Sequence, residues 1–329
     1  MTDCLLLLAP SANRVYASAT ADLAVAEMDI TFPEATDVEK STIAGIDYLS
    51  FRIDNPGAEQ LARIARQSAS LALFAQEGEL LRPTQLPRVL VLDEDLVTIP
   101  KYRGKTNELF TRLLVNVTES QVLPRAQQLN VLDPMAGRGT TLLTAWLLGH
   151  NAYGVEEDEK SFEAMAAYVK TWCRRKRLKH TADVTPVRRE GRSIGRRFDA
   201  KVKIPDQPDL TMTVFTGDTT SSAALFGKKK FDVIATDAPY GVVHGAVSNG
   251  NRRRSPKQLL EEAVPIWASQ LRETGALGIS WNTYGLAREE LAQVMEDAGL
   301  VVQDSAAWRR LEHRVDSSIN RAVLVGRHY

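Results

Sequence analysis

The sequence predicts an α/β protein, with an open, mainly parallel, doubly wound Rossmann-like sheet preceded by a smaller α/β domain. Two observations predict it. From about residue 107 onward, short apolar runs alternate with segments of helical spacing, the pattern of chains that lay helices on both faces of a parallel sheet. Before residue 98, short apolar runs mix with helical stretches, and Pro83, Pro87 and Pro100 punctuate the exit. The boundary falls near 98–104, which gives an N-terminal domain over 1–98 and a larger domain over 99–329.

In the first part, Cys4–Ala9 and Tyr48–Ile53 read as strands, and Ala21–Met28 and Ala58–Phe74 as helices. Thr106 caps a predicted helix from Asn107 to Val117. Gln128–Leu132 and Asn151–Val155 are strands, followed by helices over Thr140–Leu148 and Lys160–Arg175. Met212–Thr216 and Phe231–Thr236 are strands, Pro256–Arg272 a helix, Gly275–Trp281 a strand and Arg288–Ala298 a helix. Val301–Trp308 and Ala322–Gly326 close the domain as two strands without a helix between them, so one of them runs antiparallel. Residues 176–211 break the alternation as a basic insertion, with a hairpin around Arg188–Gly191.

Formal net charge is zero, but it is unevenly spread. Residues 1–100 carry 15 acidic against 7 basic side chains, whereas Arg174–Lys203 holds 12 Lys and Arg against 3 acidic residues. A segment of that density suits a phosphate backbone, and equally a solvated surface loop. No apolar run is long enough to span a bilayer, and Leu5–Leu8 lacks the basic lead of a signal peptide. The two cysteines, Cys4 and Cys173, are far apart and have no metal-site spacing, so a reduced, cytoplasmic protein without a metal is expected.

The segment Asp133-Pro134-Met135-Ala136-Gly137-Arg138-Gly139-Thr140-Thr141 leaves a strand and enters a helix. Glycines in such a turn let backbone approach a ligand at a helix amino terminus. Leu142 stands where a dinucleotide site wants a third small residue, which counts against a nicotinamide cofactor. Three carboxylates follow successive strands. Asp133 can face a cationic group. Glu156, with Glu157 beside it, can accept both hydroxyl protons of a ribose, because a carboxylate has two acceptor oxygens. Asp218, with Thr219 after it, can accept from an adenine amine. Each alone also suits a surface or capping role; together they line the strand-end edge where open sheets bind ligands.

The strand Phe231–Thr236 ends in Asp237-Ala238-Pro239-Tyr240-Gly241. With the preceding DPMAGRGTT segment, this resembles the amino-methyltransferases that carry an Asp/Asn-Pro-Pro-Tyr motif. Lys105-Thr106-Asn107-Glu108 and Glu312-His313-Arg314-Val315-Asp316 extend the resemblance to the THUMP-associated putative RNA methylase family, tRNA guanosine-N2-methyltransferases. It covers about 100–329. The resemblance implies a class I S-adenosylmethionine (SAM)-dependent methyltransferase sheet, SAM as cofactor and guanine N2 in tRNA as acceptor. Residues 1–98 are short for that family's N-terminal region, and are either a reduced RNA-docking module or a cap over the sheet. Position 238 is Ala where the family has Pro; the carbonyl is retained, while the loop loses a rigid residue.

The motif's residue types suit the chemistry. An exocyclic amine has its lone pair conjugated into the base ring. Asp237 and the carbonyl of Ala238 can accept its two protons, Pro239 stiffens the corner, and Tyr240 can stack on the base. Nucleic acid would lie along Lys105 and Asn107, the glycine-rich loop with His244 and Arg252, Arg253 and Arg254, the insertion's Arg188 and Arg189, and Arg314. DNA adenine or cytosine amino-methylation is the alternative substrate reading. A non-catalytic RNA-binding or activator subunit and a nicotinamide enzyme are alternatives of other classes. A homodimer or a small activator subunit are the protein partners considered.

Overall fold

The computed structural model describes residues 1–11, 14–124, 126–189, 192–239 and 255–328, without the side chains of residues 14, 15, 189, 192 and 193. The chain begins with β1 (Thr2–Leu8), α1 (Arg14–Thr31), β2 (Thr36–Ile43), β3 (Ile46–Ile53), α2 (Ala58–Arg66), β4 (Ser70–Glu77) and β5 (Leu80–Thr84). These strands form one sheet in the order β2-β3-β1-β4-β5 with every neighbouring pair antiparallel. The order is that of a split β-α-β unit with β5 added as a hairpin. The helix expected over Ala58–Phe74 stops at Arg66. Its second half is β4, where Leu73 and Ala75 point into the core by strand alternation. Short apolar runs support either period, and here pairing with β1 decides.

Helix α1 is buried on two sides. Ala21, Ala24, Val25 and Met28 pack on Leu6, Phe51 and Leu73 of the first sheet. Tyr16, Leu23 and Ala26 pack into the core of the second part with Phe110 and Leu113. The Glu27 carboxylate at its centre accepts the Ser68 amide (3.0 Å) and the Asn116 Nδ2 (2.7 Å).

The second part contains α3 (Asp95–Thr98), α4 (Glu108–Glu119), β6 (Asn130–Asp133), α5 (Thr140–Leu147), β7 (Asn151–Glu156), α6 (Glu159–Arg175), β8 (His180–Arg189), β9 (Arg192–Val202) and β10 (Leu210–Thr216). It continues through α7 (Ser222–Phe226), β11 (Phe231–Asp237), α8 (Pro256–Gln270), β12 (Leu271–Asn282), α9 (Arg288–Asp297), β13 (Val301–Val302), α10 (Ala306–Arg309), β14 (Glu312–Arg314) and β15 (Asn320–Arg327). The sheet order is β13-β15-β12-β11-β6-β7-β10-β9-β8, with β14 on β15. Strands β10, β7, β6, β11 and β12 are parallel, and β15 runs antiparallel between β12 and β13. The run expected as one strand over Val301–Trp308 is only two strand residues followed by α10, whose Trp308 is buried.

The basic stretch folds as the β8–β9 hairpin, which extends the sheet beyond β10. Its inner face, with Ala182, Phe198, Ala200 and Val202, is buried in the main core. The last β9–β10 pair is Arg197 with Phe215, and β9 starts five residues earlier, at Arg192. The described start of β9 therefore runs past the C-terminal end of β10 by about 13 Å.

Candidate active site

Because β6, β7, β10 and β11 are parallel, their C-terminal ends share one rim. Asp133, Glu156, Asp218 and Asp237 all stand at or just past those ends. The cradle after β6 is built from its own backbone. The Ala136 amide donates to the Val155 carbonyl (2.9 Å) and the Gly139 amide to the Ala136 carbonyl (2.7 Å). The Gly137 amide donates to Glu156 Oε2 (2.6 Å), and the Asp158 amide to Oε1 (2.7 Å). Gly139 sits at φ +85° at the start of α5, and a Cβ there would lie 2.8 Å from Met165 Sδ. Only glycine fits both the angle and the space.

Asp133 is buried. Its Oδ1 accepts Thr236 Oγ1 from β11 (2.7 Å) and the Met135 amide (3.0 Å), and Thr141 also donates to the carboxylate. Burial pushes its carboxyl up to about 6 despite these donors. Asp133 therefore ties the cradle to β11. Pro134 and Ala136 are buried beneath the turn, and Glu157 is exposed. Glu156 is half-buried, and burial raises its carboxyl as well. Asp218 Oδ1 accepts the Thr220 amide (2.8 Å), and Thr219 Oγ1 accepts from the buried Trp267 indole (3.2 Å).

Asp237 is held from a distance. Ser280 Oγ of β12 donates to its Oδ1 (2.7 Å), and Thr106 Oγ1 donates to its Oδ2. Arg321 Nη2 of β15 lies 4.0 Å from Oδ2. The expected cap of α4 is thus corrected: Asn107 caps the helix, accepting from the Leu109 (2.9 Å) and Phe110 (3.2 Å) amides, and Thr106 is released to reach the carboxylate. Ala238 is buried, and its amide donates to the Ser280 carbonyl (2.7 Å). Proline has no such hydrogen. At this position the chain replaces a rigid ring with one more rung between β11 and β12, so Ser280 grips both Asp237 and Ala238.

The segment Tyr102–Asn107 straps the two corners together. The Tyr102 hydroxyl shares a hydrogen bond with Thr140 Oγ1 at the start of α5 (2.9 Å), and the Arg138 guanidinium lies 4.8 Å over the Tyr102 ring. Four residues on, Thr106 reaches Asp237. Lys105 points inward, donating to the Val97 carbonyl (2.6 Å) and Glu108 (3.1 Å). Arg188 is exposed on the hairpin, and Arg314 is exposed on β14, its Nε donating to the Asp316 carbonyl (3.0 Å). The side chain of Arg189 is not described. Tyr240, His244, Arg252, Arg253 and Arg254 lie outside the described residues.

Sequence reasoning missed Tyr102, Thr236 and Ser280, and gave Thr106 a different task. The only signal was the segment Lys105-Thr106-Asn107-Glu108, which contains Thr106 and follows Tyr102 closely. Among the described residues there is no group of three or more His, Cys, Asp or Glu able to hold a metal, and no helix long and apolar enough to cross a membrane.

Five parallel strands with the reversed β15 beside β12 are the sheet order of the class I SAM-dependent methyltransferase fold, whose cofactor is a nucleoside. The cradle fits such a nucleoside. The Glu156 carboxylate stands at the second strand end beside the Gly137 amide, and the space over the Gly137 Cα is open. No family model and no curated protein matches the sequence. Among solved structures the chain is similar to TrmN from Thermus thermophilus (11% identity, 100% of each chain, TM-score 0.47). It is also similar to a precorrin-6y C5,15-methyltransferase from Geobacter metallireducens GS-15 (12%, 74% of this chain and 99% of that one, TM-score 0.41). A third is a TehB-like SAM-dependent methyltransferase from Corynebacterium glutamicum (14%, 67% and 87%, TM-score 0.40). The fold assignment rests on the strand order, and the site on its residues.

Proposed function

We propose that the protein is a SAM-dependent methyltransferase acting on an exocyclic amino nitrogen of a nucleic-acid base, with guanine N2 in tRNA as the assigned acceptor. The observation that carries the reading is the Asp237 carboxylate, fixed by Thr106 and Ser280 on the strand next to the cradle strand and tied to it through Thr236 and Asp133. When bound, SAM supplies a methyl group already activated on a sulfonium. The protein's task is then positioning and electrostatics.

Cofactor binding is assigned to Asp133, Pro134, Ala136, Gly137, Gly139, Thr140, Thr141, Glu156, Glu157, Asp218, Thr219 and Asp237, the last also serving the acceptor. Glu156 accepts from the ribose and Asp218 from the adenine amine, while Asp133 holds the cradle against β11. Asp237 accepts one proton of the target amine and the Ala238 carbonyl the other. Together they draw the nitrogen toward tetrahedral geometry and localise its lone pair. A carboxylate has acceptor capacity for an amine besides two hydroxyls. Tyr240 and the basic loop after it are assigned to stacking and phosphate contact on motif grounds alone. The hairpin arginines belong to the same RNA track, and its overhang toward the rim supports that placement. Lys105 and Asn107 hold the strap in position.

The test is transfer of labelled methyl from SAM to bulk tRNA, ribosomal RNA fragments and duplex DNA. We expect transfer to tRNA, and its loss by about 1000-fold in Asp237→Ala with SAM affinity retained. Preferential labelling of duplex DNA would move the acceptor to adenine or cytosine. Undiminished turnover in Asp237→Ala would remove the assigned role.

A further inference from the structure

Two threads run from the β1–α1 junction of the N-terminal part to the back of Asp237. The first passes through rings. Tyr16, buried at the start of α1, meets His313 of β14 edge-on (5.7 Å between centroids, 84° between planes) and Phe110 of α4 edge-on (6.3 Å, 78°). Phe110 and His313 are themselves 5.0 Å apart. The Arg321 guanidinium lies over the Phe110 ring at 4.8 Å and reaches to 4.0 Å from Asp237 Oδ2. The second thread is polar. Asn107 Nδ2 donates to Ser11 Oγ (3.0 Å), and the neighbouring Thr106 donates to Asp237.

The arrangement has a physical logic. Arg321 is nearly fully buried, so its position depends on what surrounds it. A guanidinium on a ring face is held by the ring's quadrupole, and the hold follows the ring wherever it moves. Phe110 is walled in by Tyr16 and His313. Burial, and the charge of Arg321, depress the His313 imidazole to about 4, so it stays neutral and does not compete for Asp237.

We propose that the N-terminal part completes the catalytic corner: Tyr16 is a positioning residue that holds Phe110 and thereby seats Arg321 behind Asp237. This rests on the methyltransferase reading for its kinetic test. It gives residues 1–98 a task at the reacting centre, besides whatever RNA they meet. Tyr16 touches neither cofactor nor substrate and acts only through Arg321.

The experiment is a double-mutant cycle in the full chain, with labelled SAM and bulk tRNA as probes. Arg321→Met keeps the apolar stem and loses the charge. Tyr16→Leu opens the ring wall, and Tyr16→Phe keeps it. We expect Arg321→Met and Tyr16→Leu each to lower kcat about 10-fold, with the KM for tRNA and the SAM dissociation constant within about twofold. Tyr16→Phe should restore most of the turnover lost in Tyr16→Leu. The double variant should be no slower than Arg321→Met alone, because the two act through one contact. Additive losses, or an effect confined to KM, would overturn the proposal, the latter by making the N-terminal part a docking module only.

A second measurement does not need turnover. The side-chain 15N signal of Arg321, assigned by its absence in Arg321→Met, should be protected from exchange in the wild type and lose protection in Tyr16→Leu. Equal protection in both would also refute the role of Tyr16. If the wild-type protein labels no nucleic acid, the proposed function fails by itself, and this signal still decides whether Tyr16 holds Arg321.

Discussion

Two corners leave neighbouring strands at the same rim and are fixed in opposite ways. The turn of the cradle after β6 is held by contacts close in sequence or from the next strand, Gly139 to Ala136, Ala136 to Val155 and Gly137 to Glu156, with Thr236 and Tyr102 tying its flanks from farther away. The Asp237–Ala238 corner after β11 is held by Thr106, 131 residues earlier, and by Ser280, 43 residues later, with Arg321 beyond. The turn of the first needs only β6 and β7 in place. The second exists only when α4, β12 and β15 are all in place. A seat for a cofactor can therefore persist while the reacting corner is disturbed, and substitutions at the two corners should separate binding from turnover.

The strongest attack on this contrast is Gly139→Val. It forces a β-branched residue to φ +85° and drives its Cβ to 2.8 Å from Met165 Sδ. Backbone strain and overpacking together should cost about 3 kcal/mol of stability. SAM affinity should fall about 100-fold, because the Gly137 amide can no longer lie against Glu156. Calorimetric titration with SAM and thermal unfolding measure both. Ser280→Ala is the matching change at the other corner and should leave SAM affinity within about twofold while lowering kcat. If Ser280→Ala weakened SAM binding as much as Gly139→Val, the corners would be one unit and the contrast would be wrong.

The same contrast explains what was legible in the sequence. The strand–helix alternation, the glycine turn and the strand-end carboxylates are local patterns, and the parallel sheet follows from them. The misread elements are those whose state is set by distant partners. Leu71 and Leu73 continue a helical period in sequence, yet pairing with β1 makes them part of β4. Thr106 has the side chain of a helix cap, but Asn107 takes the cap and Asp237 takes Thr106. Ser280 and Thr236 sit inside apolar strands, where a hydroxyl gives no hint of what it faces. Nothing in the sequence around Ala238 shows that its amide, which the usual proline lacks, would find the Ser280 carbonyl.

That last substitution gives an intermediate test. If rigidity alone mattered, Ala238→Pro would complete an Asp-Pro-Pro-Tyr motif and improve the protein. The bond from the Ala238 amide to the Ser280 carbonyl argues the reverse. Proline would strand a carbonyl on a fully buried residue and set its ring Cδ where the amide hydrogen now meets that carbonyl. We expect a loss of about 2 kcal/mol and a drop in kcat, with SAM affinity unchanged. An unchanged or higher melting temperature would show that the rung contributes little and that the corner relies on side chains alone.

The last test concerns the tie between the corners, and it depends on pH. Burial raises the Asp133 carboxyl from 3.8 to about 6. A carboxyl whose folded value lies above its unfolded one favours folding below the unfolded value, and that contribution is lost as pH rises through the folded value. Ionising Asp133 should therefore cost stability between about pH 4 and pH 6, by at most about 3 kcal/mol. Asp133→Asn keeps an acceptor for Thr236 and the Met135 amide but cannot ionise. It should unfold at nearly the same temperature as the wild type at pH 4 and a few degrees higher at pH 7. His313 works in the opposite sense. Its imidazole is depressed from 6.5 to about 4, so acidification across that range favours the unfolded chain, equally in wild type and Asp133→Asn. The difference between the two proteins then isolates Asp133. A difference that stays constant from pH 4 to pH 7 would mean that Asp133 is already ionised throughout, with Thr236 and the cradle amide stabilising its charge.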